Sequence, residues 1–440
     1  MVTSPETMPI AVSMQRPAWR DTFSALRLHN YRLYVVAQLI THTAAWMQRI
    51  AVDWLVLELT GSIALVGLTI ALQFLPTLFL GAYAGVVADR FPKRAMLLIC
   101  QGVGGVVNLV LALLAIFGAA ELLLVYALVL LLGIAQVFDL PARSVFINEM
   151  VGPRHLRNAI SVNASIFHLG ALIGPVVSGI LIVAVGSGWA IGIYTIAAAI
   201  GIVLLLAMRQ DELLVAPRAP SSRGQIREAA RYIARKPTLF WTMAMGGVIA
   251  VFGIPMPTLL AGVADSVYNT GAAGYGLYNS LLAVGALTGA LASTRRATLR
   301  LRTIMFGALL YGLALTLTGL APFYPLFLGL LVGVGLSRLL LMTAAETMVQ
   351  LSSNLAIRGR VNAFWVLVVV GGQAIGSPLL GWLAEQVGPK NALVLAGAVV
   401  ALAAVALGLI LARSGRLKVA VTSRRGRWVA IVPRSRGTST

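Results

Sequence analysis

The stretch Gly85-Val-Val-Ala-Asp89-Arg90-Phe-Pro-Lys93-Arg94 joins two long apolar segments, residues 63–88 and 95–118. Each segment is long enough to cross the hydrocarbon core of a membrane, which takes about 20 apolar residues in a helix. A connection that carries four charged side chains cannot lie in lipid without a large cost in free energy. We therefore expect this stretch to be a loop at one membrane surface.

Apolar segments of similar length recur along the whole chain of 440 residues. Hydrophobic residues make up 59% of the sequence and charged residues only 11%, where a soluble protein has about 25% charged residues. The fold class we expect is an all-α integral membrane protein. We place twelve transmembrane helices at 33–57, 63–88, 95–118, 122–142, 159–186, 189–208, 238–260, 274–293, 303–320, 322–345, 361–386 and 391–412.

The basic residues predict the orientation of these helices. Of the 34 Lys and Arg, 30 fall in one alternate set of loops and only Lys390 falls in the other set. Arg49, Arg143 and Arg338 lie within spans or at their edges. Because cytoplasmic loops carry the excess of Lys and Arg, both termini are predicted to be cytoplasmic. The net charge of +20 then reflects orientation, and we expect no nucleic-acid partner.

The longest internal loop divides the spans into two sets of six. The predicted order is a cytoplasmic tail, a six-helix half, a linker, a second half and a basic cytoplasmic tail, at 1–32, 33–208, 209–237, 238–412 and 413–440. The linker places Arg227, Arg231 and Arg235 opposite Ile226 and Ile233, which is typical of an amphipathic helix. Such a helix lies either on the inner leaflet or in solvent.

An internal repeat supports the division into halves. A shift of 202 residues superposes five glycines of the first half on five of the second: Gly133 on Gly335, Gly170 on Gly372, Gly174 on Gly376, Gly179 on Gly381 and Gly186 on Gly388. Parallel repeats of six helices place a transporter's substrate site between the halves, near the middle of the bilayer.

The loop at 85–94 resembles the cytoplasmic signature loop of the major facilitator superfamily. The resemblance implies a fold of twelve helices and a role for this loop in the cytoplasmic gate, with Gly85 allowing close helix approach and Asp89, Arg90, Lys93 and Arg94 forming the charged part. We expect Asp89 to act at the start of span eleven, near Arg358–Arg360, when the cytoplasmic side is closed.

A second resemblance concerns span five. Gly170, Gly174, Pro175 and Gly179 follow the signature associated with antiporters of this superfamily, except that Ser178 replaces one glycine. The same residues also suit a plain packing seam of small side chains. Segments at 30–33, 46–56, 59–62, 73–76 and 141–143 resemble the transmembrane secretion effector branch, which contains siderophore and macrolide exporters.

Ionisable residues inside spans are costly and mark candidate functional sites. Gln38, His42, Trp46, Arg49 and Asp53 fall on one face of span one, within about 80° of each other. The spacing predicts an ion pair between Arg49 and Asp53. That pair is either a proton-coupled switch, with Asp53 as carrier and His42 as a second site, or a structural lock between helices.

Other candidates lie on later spans. Asp139 and Arg143 are spaced as an ion pair at the inner end of span four, which favours a gate over a substrate site. His168 is a further candidate for proton coupling, because a histidine titrates near neutral pH. The side chains that we expect to line the substrate cavity are Gln38, Trp46, Gln73, Arg338 and Trp365.

The function we expect is secondary active export of an amphipathic small molecule, drug-like or siderophore-like, by alternating access with proton antiport. An importer or facilitator, or a membrane sensor or scaffold, are the alternatives. We expect no enzyme activity, because no Walker, His-Glu-x-x-His or Gly-x-Ser-x-Gly motif occurs. The single cysteine, Cys100, predicts neither a disulfide nor a cysteine metal site, and we expect no cofactor. The expected partners are substrate, protons and the lipids of the cytoplasmic membrane, around a monomer.

Overall fold

The computed structural model of the chain describes residues 24–214, 225–293, 301–354, 357–411, 418–420 and 430–432. The side chains of Ala82, Asp89, 225–229 and all residues after 410 are not described. The expectations for residues 1–23, for Arg227 and Ile226, for most of the tail at 413–440 and for the Asp89 carboxylate therefore lie outside the described part of the chain.

Almost all of the described chain is helical. After a 3₁₀ turn at Ser24–Arg27, the helices are α1 (His29–Thr60), α2 (Ile63–Arg90), α3 (Lys93–Ile116), α4 (Leu122–Val185), α5 (Ser187–Leu206), α6 (Gln225–Arg235), α7 (Pro237–Phe252), α8 (Met256–Gly262) with a π-helical turn at Val263–Val267, α9 (Gly271–Ser293), α10 (Leu301–Leu320), α11 (Tyr324–Leu351), α12 (Arg358–Val387) and α13 (Pro389–Leu411). Ten segments of the described residues are long and apolar enough to cross a membrane.

Two three-residue strands modify the all-helical expectation. The strands β1 (Lys418–Ala420) and β2 (Ala430–Val432) pair antiparallel, with Val419 opposite Ile431. They lie within the basic tail, where the sequence predicts no element.

Helix α4 is too long for a single span. Its 64 residues include Gly152, whose φ of 63° and ψ of 176° are not helical. A left-handed φ of this kind is easily adopted by glycine alone, so Gly152 separates two arms, 122–151 and 153–185. We call these arms α4a and α4b. They correspond to the spans that the sequence predicts at 122–142 and 159–186, each extended by the turns around Gly152.

The glycines of the internal repeat make equivalent contacts in the two halves of the sequence. Cβ atoms built on Gly170 and Gly174 of α4b would lie 3.2 Å from the His42 carbonyl carbon and 2.8 Å from the Thr43 carbonyl oxygen of α1. Their equivalents on α12 meet α7: a Cβ built on Gly372 would lie 3.2 Å from the Ala250 carbonyl carbon, and one on Gly376 would meet the Val251 carbonyl oxygen. Helix backbones can come this close only where a side chain is missing. The repeat thus has a structural basis: α4b packs on α1 as α12 packs on α7.

The next glycine of each repeat contacts the other half of the sequence. A Cβ built on Gly179 would lie 2.6 Å from the Ala272 carbonyl oxygen of α9, and one on Gly381 would lie 2.5 Å from the Ile63 carbonyl oxygen of α2. These pairs, α4b with α9 and α12 with α2, hold the two sets of helices together at one end of the bundle.

A carboxylate also fastens this end. Glu385 Oε1 of α12 accepts a hydrogen bond from Ser62 Oγ at 2.5 Å and another from the Ala64 amide at 3.0 Å. Both donors belong to the start of α2, where backbone amides lack helical partners and the helix dipole favours a negative charge. We call this the Glu385 end of the bundle.

The linker helix α6 packs against protein. Ile233 is 4% exposed within the main hydrophobic core, and the Lys236 ammonium donates to the Ser352 carbonyl at the end of α11, 3.0 Å away. The Asn354 amide donates to the Tyr232 hydroxyl at 3.2 Å. The sequence predicts a helix either on the inner leaflet or in solvent, and neither alternative has Ile233 covered by the bundle. The residues that hold α6 in place, Ser352 and Asn354, lie more than 100 residues further along the chain.

Candidate functional site

A cavity of 860 Å³ opens among the first five helices, and we call it the polar cavity. All of its lining residues fall between Thr41 and Tyr194. It extends to Asn148 and Leu156, on either side of the Gly152 break, and so toward the end of the bundle opposite Glu385. Seven amide side chains line it: Gln48, Gln73, Gln101, Asn108, Gln136, Asn148 and Asn163.

Two candidates for the gate form an ion pair on the wall of the polar cavity. Arg143 donates from Nη2 and Nε to Asp139 Oδ2, at 2.6 and 2.9 Å. A direct pair of this kind compensates both charges locally. The Arg143 guanidinium also lies 3.4 Å from His42 Nε2. His42 therefore lies beside Asp139 and Arg143, and its role as a second site for proton coupling stays a prediction.

A smaller cavity of 340 Å³ lies between the two halves of the sequence, and we call it the central cavity. Its walls come from α1, α2 and α4b on one side and from the turn between α7 and α8, α8, α9, α11 and α12 on the other. It shares Trp46, Arg49, Phe167 and His168 with the polar cavity. The two cavities thus meet at one aromatic and basic boundary.

Asp53 borders the central cavity and is only 1% exposed. Its Oδ2 accepts a hydrogen bond from the Tyr275 hydroxyl of α9 at 3.0 Å, while the buried Oδ1 accepts none from any described residue. Trp54 stacks on the Tyr275 ring with centroids 6.2 Å apart. Sequence reasoning missed Tyr275, because nothing in an apolar segment 222 residues away marks a partner for Asp53.

Arg49 does not form the predicted ion pair with Asp53. The guanidinium lies over the Trp46 ring, 5.0 Å from its centroid, and over the Phe74 ring at 5.5 Å. No ion pair between Arg49 and Asp53 occurs in the described structure. Helical spacing permits the pair, but two aromatic faces attract the cation and Tyr275 attracts the carboxylate.

The remaining cavity candidates divide into two groups. Gln73 lines the polar cavity, Arg338 lines the central cavity, and Trp46 and His168 line both. Gln38 is fully buried and lines neither, because the polar cavity ends at Thr41, one turn further along α1. Trp365 is also buried, with its ring against Gly246 of α7. Gln38 and Trp365 therefore line neither of these two cavities in this conformation, and their contact with a substrate stays a prediction.

The loop at 85–94 is fastened to α5. Arg94 donates from Nε to the Leu205 carbonyl and from Nη2 to the Leu206 carbonyl, both at 2.9 Å. Arg90 is exposed, and Lys93 donates to the Phe91 carbonyl at 3.2 Å. Gly85 has no described heavy atom within 4 Å of a built Cβ, so the expected close helix approach is absent in this conformation.

Replacement of Arg94 by lysine is expected to lower thermal stability. Lysine presents one compact ammonium where the guanidinium reaches two carbonyls at the end of α5, so one charged hydrogen bond is lost, which costs about 1.5–3 kcal/mol at most. Melting temperatures of the purified protein in lipid nanodiscs measure the effect. The matched control is Arg90→Lys, an exposed neighbour. Equal melting temperatures for both variants would show that the two carbonyl contacts contribute nothing.

The antiporter-like residues contact two different helices. Gly170 and Gly174 lie against α1, whereas Pro175 meets Gly276 of α9 through its carbonyl oxygen. Ser178, which departs from the signature, donates from Oγ to the Met47 carbonyl of α1 at 2.8 Å. The hydroxyl thus supplies a contact that glycine could not make.

Comparisons with known proteins agree with this architecture. The sequence profile of the family described as transmembrane secretion effector matches residues 20–426. This chain therefore belongs to the transmembrane secretion effector family, a family of membrane transporters in the major facilitator superfamily. It is a multi-pass membrane protein and not an enzyme.

Curated relatives and solved structures cover most of the chain. The enterobactin exporter EntS of Shigella boydii serotype 4 is 28% identical over 382 residues, which are 86% of this chain and 90% of that protein. EntS of Escherichia coli O1:K1 is 27% identical with the same coverage.

Two solved transporters show the same fold at low identity. A bacterial homologue of the human lysosomal transporter Spinster, in an inward-facing and unoccupied conformation, has a TM-score of 0.67 at 17% identity and covers 87% of this chain and 97% of its own. A transporter of the POT family in complex with a thioalcohol-conjugated peptide has a TM-score of 0.71 at 14% identity, with 87% and 96% covered.

Proposed function

We propose that this chain exports an amphipathic small molecule across the cytoplasmic membrane by alternating access, with protons exchanged in the opposite direction. The observation that carries the proposal is the central cavity, which both halves of the sequence line and which joins the larger polar cavity. The relatives named as enterobactin exporters support export and a siderophore-like or drug-like cargo.

The proposed topology has twelve spans with both termini in the cytoplasm. A helix of 64 residues would be about 96 Å long, about three times the hydrocarbon thickness, so α4 counts as two spans, α4a and α4b. Counting α4 as two raises the ten apolar segments to eleven, and the 32-residue α1, whose polar stripe faces protein, is the twelfth. The halves are 33–208 and 238–412, joined by the linker at 209–237.

This topology places the Glu385 end on the outside. The α2–α12 and α4b–α9 contacts then close the outer side, and the polar cavity extends toward the cytoplasm. An arrangement of this kind would admit cargo from the cytoplasm. Export follows when the outer contacts separate and the cytoplasmic ends of the two halves meet. We propose that the protein works as a monomer.

Flux in inverted membrane vesicles tests this proposal. A panel of dyes, macrolides and siderophores is first screened for toxicity or retention in a host that lacks its own efflux pumps. A compound to which the chain confers resistance is then supplied outside inverted vesicles with an acidified lumen. Export predicts accumulation that collapses with the proton gradient. If the proton gradient drives accumulation of the compound in right-side-out vesicles and not in inverted ones, the protein is an importer.

Replacement of Glu385 by alanine is expected to favour opening of the outer side. The variant loses two hydrogen bonds at the start of α2, a cap of the kind that contributes about 0.5–2 kcal/mol. The ratio of open to closed outer ends, measured by spin-label distances across α2 and α12, should shift by about twofold to thirtyfold. Glu121→Ala is the matched control, because Glu121 precedes α4 without a side-chain capping bond. A shift of equal size in both variants contradicts the role of Glu385.

Replacement of Asp89 by asparagine is expected to favour the form that is open to the cytoplasm. The signature loop predicts that this carboxylate stabilises the closed cytoplasmic side near the start of α12, with a helix-dipole interaction of about 0.3–2 kcal/mol. Labelling of cysteines introduced at the cytoplasmic ends of α2 and α12 measures the opening. Asp211→Asn controls for loss of one acidic charge in the loop after α5. Unchanged labelling in Asp89→Asn would remove the loop carboxylate from the gate.

A further inference from the structure

The polar cavity has an unusual lining for a part of the protein embedded in a membrane. Seven amide side chains face it, and polar residues at this depth are kept where they contact protein, water or a ligand. Among the described residues, Asn108 alone of the seven has a protein hydrogen bond, from Nδ2 to the Gly104 carbonyl of its own helix at 2.8 Å. The amides therefore do not serve to hold the helices together.

Gln101 is the most informative of these amides. It is 4% exposed on α3, and neither Oε1 nor Nε2 has a hydrogen-bond partner in the described part of the chain. The Oδ1 atoms of Asn108 and Asn163 are also buried without a described partner. A buried amide without a partner destabilises a fold, and one on a cavity wall, such as Gln101, can regain the missing bonds from a bound molecule.

Inside the polar cavity the charges balance each other, and one cation, Arg49, stands at its boundary with the central cavity. Asp139 and Arg143 neutralise each other at 2.6 Å, and Arg49 is held over two aromatic rings at the boundary with the central cavity. What remains for recognition is a set of neutral donors and acceptors. Trp46 and Phe167, with ring centroids 5.7 Å apart, supply an apolar face beside them.

We propose that the polar cavity is the substrate site and that it recognises an uncharged molecule carrying several hydroxyl or amide groups next to an aromatic or apolar face. This inference rests on the proposed export function and specifies its cargo. The volume of 860 Å³ holds a molecule of drug size, whereas the 340 Å³ of the central cavity holds only part of one. Amides pair with hydroxyl and amide groups in both directions, as donor and as acceptor.

The test uses three related probes and the purified protein in nanodiscs. The probes are 2-naphthyl β-D-glucoside, the corresponding 2-naphthyl tetrahydropyranyl ether without hydroxyls, and the anionic 2-naphthyl glucuronide. Saturation-transfer NMR titrations measure their affinities. We expect the glucoside to bind about tenfold or more tightly than the ether, because a site with unpaired polar groups rejects a ligand that cannot pair them. The glucuronide should bind more weakly than the glucoside.

Gln101→Leu separates recognition from a structural role. The variant is expected to lose the preference for the glucoside over the ether while its melting temperature stays the same or rises, since a buried amide without a partner is removed. Gln350→Leu, at the exposed end of α11 and outside both cavities, is the matched control and should keep the preference.

Three results would overturn the inference. They are equal affinity of the wild type for glucoside and ether, tighter binding of the glucuronide, and a preference that survives Gln101→Leu. Binding is measured at equilibrium without a proton gradient. A protein that binds the glucoside but moves nothing in vesicles therefore refutes the export proposal and leaves the site assignment standing.

Discussion

Asp53→Asn is expected to abolish proton-driven efflux while leaving ligand binding measurable. Asparagine can still accept the hydrogen bond from Tyr275, so the contact between α1 and α9 survives. It cannot take up and release a proton, which is the step that an aspartate in the outer part of span one would perform. Because Arg49 lies over the Trp46 and Phe74 rings, it keeps both of these contacts in the variant.

The measurement compares efflux and binding in the same variant. Inverted vesicles with an acidified lumen report the driven flux, and the glucoside titration reports binding. Tyr275→Phe is the control, because it removes the hydrogen bond that Asp53→Asn keeps and retains the carboxylate that Asp53→Asn removes, and we expect it to retain coupled transport. A structural role predicts the reverse, with misfolding in Asp53→Asn. A well-folded Asp53→Asn protein that still pumps against a gradient would move the carrier role to His168 or Asp139.

Gly276→Ala is expected to prevent closure of the Glu385 end. A Cβ on Gly276 meets the Pro175 carbonyl oxygen, which is backbone and cannot rotate away. Helices α9 and α4b would have to separate, and overpacking of this kind costs about 1–3 kcal/mol. That is about fivefold to 150-fold in the balance between closed and open forms. Since transport needs both forms, we expect a loss of flux of similar size.

Cysteine labelling reports the separation directly. Ala272 is 2% exposed in the same contact, so Ala272→Cys should react slowly in the parent protein and quickly when Gly276→Ala is added. Cys100 is replaced by alanine beforehand, as it is the only native cysteine. Gly102→Ala on α3 is the control, because no described heavy atom lies within 4 Å of its built Cβ. Slow labelling in both variants would show that α9 and α4b tolerate the extra carbon.

The glycines predicted helix contacts more reliably than the polar residues predicted theirs. Four of the five glycine pairs of the repeat lie where helix backbones approach, because the need for a missing side chain leaves a direct mark on the sequence. Gly186 and Gly388 instead take a positive φ at the ends of their helices. Gly85, outside the repeat, has no described heavy atom near its built Cβ in this conformation. Helical spacing correctly placed Asp139 within reach of Arg143 on one helix face.

Spacing failed where a partner comes from a distant helix. Helical geometry allows Arg49 to pair with Asp53, but in the fold Arg49 lies over the Phe74 ring and Asp53 accepts a hydrogen bond from Tyr275. Gln38 shares the polar stripe of α1 but lies beyond the end of the cavity, and Trp365 turns toward Gly246 of α7. A sequence gives the face of a helix on which a residue lies, but the neighbours of that face depend on how the bundle packs.

The sequence alone determined that this protein is a bundle of membrane-spanning helices, since the hydrophobic length of each segment and the charge of each loop act locally along the chain. Only the tertiary structure decided that seven amides from different helices share one cavity, that Tyr275 bonds to Asp53, and that Glu385 caps α2. These groups lie on separate spans, and their meeting depends on backbone approach at the glycines and on which end of the bundle is closed.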